Sequence, residues 1–126
     1  MKKLEAQEQE NLITWCNLQS GKYPELNLIF HIPNGGSRNK IEAFNLKKQG
    51  VKAGVPDLFL PVAKKGYYGL FIEMKVKNNK PTENQKKWLS KFTEQGYLTK
   101  VCYSFEEAQK TIINYLGKEN DNMGFI

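Results

Sequence analysis

Apolar positions follow helical spacing in some segments of the chain and form short strand-like runs in others. The first segment predicts a helix, for which Gly21 and Pro24 are the end signals. Its apolar stripe consists of Leu4, Leu12, Ile13, Trp15, Cys16 and Leu18. The apolar run 28–32 predicts a strand, and the basic segment that follows predicts a short helix that stops at Gly50.

Two further apolar runs, at residues 55–60 and 70–76, predict adjacent strands. The short polar linker between them favours an antiparallel hairpin. Capping boxes at Thr82–Gln85 and Ser104–Glu107 predict the starts of two helices, and a strand is expected between these helices at 97–103. The resulting order, α-β-α-β-β-α-β-α, predicts an α/β fold in which helices flank a mixed central sheet.

Length and composition fit a single small domain. The chain has 126 residues, and its 40% hydrophobic content is sufficient for a packed core. We expect one domain over residues 1–117 and a frayed tail at 118–126. No apolar run approaches the roughly 20 residues of a membrane span, and the polar N-terminus lacks a signal-peptide apolar region. A cytoplasmic location without a membrane partner is therefore expected.

The cysteine and histidine content excludes a structural zinc site. The chain has two cysteines, Cys16 and Cys102, without a CxxC motif, and His31 is its one histidine. A structural zinc ion normally needs four such ligands. Both cysteines are therefore interpreted as reduced residues in or near the core.

The net charge of +6 favours a polyanionic partner. Of the 19 basic residues, all are lysines except Arg38. Lysine acts mainly as a point charge on phosphate, whereas arginine is the residue that most often reads guanine. This composition favours recognition of a nucleic-acid backbone, and a merely solubilising lysine surface is the alternative.

Asp57, Glu73 and Lys75 are the main candidates for chemistry. Alternation along a strand places Glu73 and Lys75 on one face and Met74 on the other. Two carboxylates beside an ammonium group suit a hard divalent cation and phosphodiester hydrolysis. The alternatives are a turn role for Asp57 and a Glu73–Lys75 salt bridge on a half-exposed face.

Other polar residues are candidates for supporting this site. Gln85 is the N3 residue of its capping box, and its position also places its amide near the end of the strand that carries Glu73. Either Glu5 or Glu8 of the first helix is a candidate for a third carboxylate, with Glu5 slightly favoured. A solvated helix face explains both glutamates equally well.

A second set of residues is assigned to DNA contact. His31 precedes a turn-rich loop that offers backbone N–H groups and two cations to a phosphate. A core histidine and a plain turn are the alternatives for this segment. The candidate DNA-binding residues are His31, Asn34, Arg38, Lys40, Lys52 and Lys77.

Four segments in order resemble the VRR-NUC family of the PD-(D/E)xK nuclease superfamily. They begin at His31, Gly50, Gly69 and Pro81, and they read HIPNGG, GVKAGVPD, GLFIEMK and PTENQ. The similarity covers residues 5–117 and is closest to small stand-alone phage and prophage members. It implies a restriction-endonuclease-like core and a DNA endonuclease that uses Mg²⁺ or Mn²⁺.

The resemblance also implies roles for individual residues. Asp57, Glu73 and a first-helix glutamate match metal ligands, to which the backbone carbonyl of Met74 adds another. Lys75 matches the catalytic lysine, and Gln85 matches a supporting residue. Stand-alone members are similar to Holliday-junction resolvases and act as homodimers.

Three hypotheses follow for the function. The first is a dimeric endonuclease that cuts branched DNA such as four-way junctions. The second keeps the nuclease but replaces the substrate with flaps or other DNA intermediates. The third is a DNA-binding module without catalysis, against which the complete Asp57, Glu73 and Lys75 set argues.

Overall fold

The computed structural model describes residues 3–34 and 39–118, and within them it confirms the predicted order of helices and strands. The elements are α1 (Lys3–Gln19), a 3₁₀ helix (Pro24–Leu28), β1 (Phe30–His31), α2 (Lys40–Lys48), β2 (Leu58–Leu60), β3 (Leu70–Met74), α3 (Glu83–Glu94), β4 (Leu98–Cys102) and α4 (Phe105–Leu116). The predicted α/β class with a mixed sheet is correct.

The four strands form one sheet in the order β1-β2-β3-β4. The β2–β3 pair is antiparallel, as predicted, with Leu58 opposite Ile72 and Leu60 opposite Leu70. The β3–β4 pair is parallel. Strand β3 therefore has a partner on each side, which places Glu73 in the interior of the sheet.

Helices cover both faces of the sheet. On one face, α1 and α4 pack against each other and bury a core that includes Leu12, Cys16, Leu70, Ile72, Met74, Ile112 and Ile113. On the other face, the Phe71 ring stacks between Phe59 and Phe92, at centroid distances of 4.3 and 4.0 Å. Phe92 belongs to α3, so this stack attaches α3 to the sheet.

Several predicted boundaries were wrong. Helix α1 has the predicted extent, since it runs from Lys3 to Gln19, but its expected stripe members Leu4 and Leu18 are 68% and 77% exposed. The predicted strand 28–32 is reduced to Phe30–His31 because the 3₁₀ helix that begins at Pro24 continues to Leu28. The strands predicted at 55–60 and 70–76 are also shorter, since β2 begins after Asp57 and β3 ends before Lys75.

The helix caps agree with the sequence in most details. The Thr82–Gln85 capping box has both of its hydrogen bonds. At α4, the Ser104 hydroxyl accepts from the Glu107 N–H, but the Glu107 carboxylate accepts from Tyr103 N–H and not from Ser104. The second box is therefore only half formed, because the carboxylate reaches one residue further back.

Both cysteines are free and buried, as predicted. Burial raises the pKa of the Cys16 thiol to about 12. Within residues 3–34 and 39–118, no helix is long and apolar enough to span a bilayer.

Gly54 is a position where the backbone requires glycine. Its φ is +88°, and an added Cβ would lie 2.5 Å from Asn84 Nδ2 and 3.2 Å from Trp88 Cδ1. We expect Gly54→Ala to destabilise the protein by about 1–3 kcal/mol, because alanine is strained in this backbone region and displaces Asn84. Thermal denaturation beside Gly21→Ala tests this, since Gly21 has open space around it and its φ is outside that region. Equal melting temperatures for the two variants would contradict the prediction.

Candidate active site

A cavity of about 720 Å³ lies beyond the end of β3. It brings together most of the residues predicted to carry the chemistry, and its lining includes Glu5, Asn34, Asp57, Glu73, Lys75 and Gln85. Glu5 belongs to α1, Asn34 follows β1, and Asp57 directly precedes β2. Glu73 belongs to β3, Lys75 directly follows β3, and Gln85 belongs to α3.

Asp57 is held in place by the neighbouring strands. It is 4% exposed, and its Oδ2 accepts a 2.7 Å hydrogen bond from the Met74 N–H. Its backbone carbonyl accepts from the Ile32 N–H at 2.8 Å. Asp57 is therefore anchored to β3 through its side chain and to the residue after β1 through its backbone.

Glu73 is a buried carboxylate with unused hydrogen-bonding capacity. It is 2% exposed, and its Oε1 has no hydrogen-bond partner among the described residues. Its Oε2 lies 3.8 Å from Lys75 Nζ, and Lys75 is also buried. The ion pair of the alternative interpretation is therefore present, but it lies on a buried face and not on a half-exposed one. A buried, unsatisfied oxygen is costly unless a ligand completes it.

Burial and neighbouring carboxylates raise the pKa values of Glu73 and Asp57. Burial and then the nearby charge of Asp57 raise the pKa of Glu73 to about 8, against the opposing effect of Lys75. Burial also raises the pKa of Asp57, although the hydrogen bond from Met74 and the charge of His31 oppose this shift. Glu5 raises both pKa values further. Such a cluster of like charges favours a bound proton or a bound cation.

The structure distinguishes Glu5 from Glu8. Glu5 is 6% exposed, lines the cavity, and accepts a 3.4 Å hydrogen bond from Asn79 Nδ2. Glu8 is half-buried and does not line the cavity. Asn79 was not predicted as a site residue, although the turn signal after β3 indicated where it lies.

The carboxylates do not form a closed metal cage. Within the described part of the chain, no three His, Cys, Asp or Glu side chains are grouped closely enough to hold a metal ion. The donor set nevertheless fits Mg²⁺, which typically binds through one or two carboxylates and keeps water and phosphate oxygens as its other ligands. Glu73 Oε1 is free to coordinate such an ion, because it accepts no hydrogen bond from the described residues.

Lys75 and Gln85 are positioned by backbone contacts. The Lys75 N–H donates to the Cys102 carbonyl at 2.9 Å, which continues the β3–β4 pairing for one residue and keeps Lys75 on the face of Glu73. Gln85 Oε1 accepts from the Thr82 N–H at 2.9 Å. Because the cap uses this oxygen, the Gln85 amide NH₂ is the group available to a ligand.

The predicted DNA-binding residues are more dispersed. His31 is exposed, which contradicts its interpretation as a core residue, and its Nδ1 lies 2.8 Å from the Asp57 carbonyl. A carbonyl only accepts, so Nδ1 carries the proton. Lys40, Lys52 and Lys77 are exposed and do not line the carboxylate cavity. Arg38 lies outside the described residues.

The raised pKa of Glu73 predicts a pH dependence of stability. The folded metal-free protein holds this proton up to about pH 8, whereas the carboxyl normally loses it near 4.5. The free energy of unfolding should therefore fall as the pH rises through this interval, by at most about 1.4 kcal/mol per pH unit. Urea denaturation in EDTA at pH 5 and pH 8 measures this change. A higher stability at pH 8 would contradict the assignment.

Comparisons with known proteins find relatives of this chain by sequence and by fold. The family model described as the VRR-NUC domain matches residues 3–106. A solved "VRR_NUC domain protein" is 30% identical, with a TM-score of 0.78 over 93% of this chain and 91% of its own. A second solved structure, "VRR_NUC domain", is 20% identical, with a TM-score of 0.51 over 86% of this chain and 97% of its own. At this level of identity the match shows the shared fold alone. No curated protein matches the chain.

Proposed function

The chain belongs to the VRR-NUC family, a family of nucleases, and we propose that it is a metal-dependent endonuclease that hydrolyses phosphodiester bonds in branched DNA. The observation that supports this most directly is the buried Glu73 carboxylate, with one oxygen unsatisfied, beside Asp57 and Lys75. This constellation also supports placement in the PD-(D/E)xK superfamily.

Asp57 and Glu73 would hold Mg²⁺ or Mn²⁺ directly, with the Met74 carbonyl as a further oxygen donor, and Glu5 would contact the ion through water. A bound divalent cation supplies Lewis-acid stabilisation of phosphate charge and lowers the pKa of water. Oδ2 of Asp57 already accepts from Met74 N–H, so Oδ1 is the oxygen that this side chain can give to a ligand without losing its anchor.

Lys75 would act on the substrate and not on the cation. Its ammonium group lies beside Glu73 at the end of β3, where it can donate to a non-bridging phosphate oxygen or orient the attacking water. The attacking oxygen forms a bond to phosphorus as the bond from phosphorus to the leaving oxygen breaks. We propose that the product keeps a 5′-phosphate, so that DNA ligase can seal the nick.

Four-way junctions are the proposed substrate, and a homodimer is the proposed assembly. A symmetric junction needs two cuts, and a C2 dimer supplies two sites for them. The net charge of +6 supports association with DNA. The proposal places this activity in the cytoplasm of a bacterial or phage-infected cell.

Cleavage of a synthetic four-way junction tests this function. The same labelled strands are supplied as a junction, a flap and linear duplex arms, in Mg²⁺, Mn²⁺ or EDTA, with Asp57→Asn as the inactive control. We expect paired, symmetric, ligatable nicks in the junction that require the metal and are absent in the variant. Cleavage of flaps but not of junctions would show that flaps, and not four-way junctions, are the substrate. Binding without cleavage in either metal would overturn the enzyme assignment.

A further inference from the structure

A second cavity adjoins the candidate active site. It encloses about 550 Å³ between α2, the segment before β2 and α3. Its lining includes Asn34, Ala43, Lys47, Lys52, Asn84 and Trp88, and Asn34 also lines the carboxylate cavity. This volume falls within the range of about 300–1,000 Å³ that is typical of small-molecule sites. We call it the lysine–tryptophan cavity.

Trp88 forms a rigid wall of this cavity. Its indole N–H donates to the Ala53 carbonyl at 3.0 Å, and its ring stacks on Phe92 at a centroid distance of 5.6 Å. Asn84 Nδ2 donates to the same carbonyl at 2.8 Å. The aromatic surface is therefore held in position before any ligand arrives, which lowers the entropy cost of binding.

The charge of the lysine–tryptophan cavity differs from that of its neighbour. Lys47 and Lys52 are exposed, and no ion pair engages either of them within the described part of the chain. No carboxylate is among the residues that line this cavity, whereas Glu5, Asp57 and Glu73 line the adjacent one. The cavity lined by carboxylates thus suits a cation, and the lysine–tryptophan cavity suits an anion with an attached flat apolar group.

We propose that the lysine–tryptophan cavity binds an unpaired nucleotide next to the scissile phosphate. Its base would lie against Trp88, and Lys47 and Lys52 would contact its phosphate, as aromatic and lysine side chains do in single-strand binding. This inference rests on the proposed nuclease function and deepens it.

The shape of the cavity links this nucleotide to substrate choice. A base within a continuous duplex is stacked on both sides and cannot enter a recess between two helices without being unstacked, which costs a few kcal/mol. An unpaired base at a branch point enters without that cost. The cavity would therefore favour branched or gapped DNA over intact duplex, and it would do so without reading the base sequence.

Metal-free DNA binding tests the proposal separately from catalysis. Two duplexes of the same sequence, one with a single unpaired nucleotide, are titrated in EDTA over a range of KCl concentrations. Lys47→Ala and Lys52→Ala are each expected to weaken binding of the DNA with the unpaired nucleotide by about 3- to 10-fold, and to lower the salt slope by about one. Lys110→Ala removes the same charge from a separate cavity on α4 and β4, and should leave this binding unchanged.

Photocrosslinking identifies the wall against which the base lies. 5-Iododeoxyuridine at the unpaired position is expected to crosslink to Trp88 in the wild-type protein. Equal losses of affinity in all three alanine variants, or crosslinks that avoid Trp88, would overturn the cavity assignment. If either outcome were found while metal-dependent cleavage remained intact, the cavity assignment would be rejected and the proposed nuclease function would be retained. If Lys47→Ala and Lys52→Ala weakened DNA binding as expected but the wild-type protein cleaved no DNA, the nuclease function would be rejected and the cavity would remain a DNA-binding site.

Discussion

Glu73→Gln should eliminate metal-dependent cleavage and also stabilise the metal-free protein at alkaline pH. The change removes a proposed metal ligand with little change in shape. A bound metal contributes several kcal/mol of transition-state stabilisation, so the cleavage rate should fall by at least about 10³-fold. Above pH 8 the same change removes a buried negative charge beside Asp57, whose repulsion raises the pKa of Glu73. The melting temperature in EDTA at pH 9 should therefore rise.

Two measurements check this prediction. Single-turnover cleavage reports the rate, and thermal denaturation at pH 9, with and without Mg²⁺, reports stability. Saturating Mg²⁺ at about 100 times its dissociation constant should stabilise the wild type by about 2.7 kcal/mol and should stabilise Glu73→Gln much less. Glu94→Gln makes the same chemical change at an exposed position and serves as the control. Wild-type cleavage by Glu73→Gln would show that this carboxylate does not bind the essential metal.

Lys75→Met should abolish most of the cleavage activity. Whereas Glu73→Gln should stabilise the metal-free protein, Lys75→Met should destabilise it. Loss of a donor to developing phosphate charge costs about 10²- to 10³-fold in rate when such a donor is preorganised. Lys75 also lowers the pKa of Glu73, so its removal leaves a buried carboxylate without its nearest cation. The metal-free variant should therefore be less stable than the wild type at pH 9.

The paired variants separate metal binding from substrate activation. Lys75→Met should retain the rise in melting temperature that Mg²⁺ produces, whereas Glu73→Gln should lose it. Lys100→Met, on the exposed part of β4, controls for the loss of one lysine. Loss of the Mg²⁺ effect in Lys75→Met, with the fold intact, would contradict a role for Lys75 that is separate from the metal.

Backbone periodicity explains why part of the site could be predicted without coordinates. The two-residue period of a strand places Glu73 and Lys75 on one face in any sheet that contains this run. The turn chemistry before α3 similarly sets the capping box, so the position of Gln85 at the start of a helix was also predictable. These are local properties, and neighbours along the chain are sufficient to determine them.

The order of elements and the shared face of Glu73 and Lys75 therefore follow from local sequence, because hydrophobic period and capping act over a few residues. The mixed sheet follows in turn from the order of elements. Three other features are evident only from the packed fold: Glu5 and not Glu8 lines the carboxylate cavity, Leu4 and Leu18 face solvent, and Trp88 closes a second cavity. These outcomes depend on how each helix is rotated about its axis. That rotation is set by packing against strands and helices far away in sequence, which periodicity within one segment does not specify.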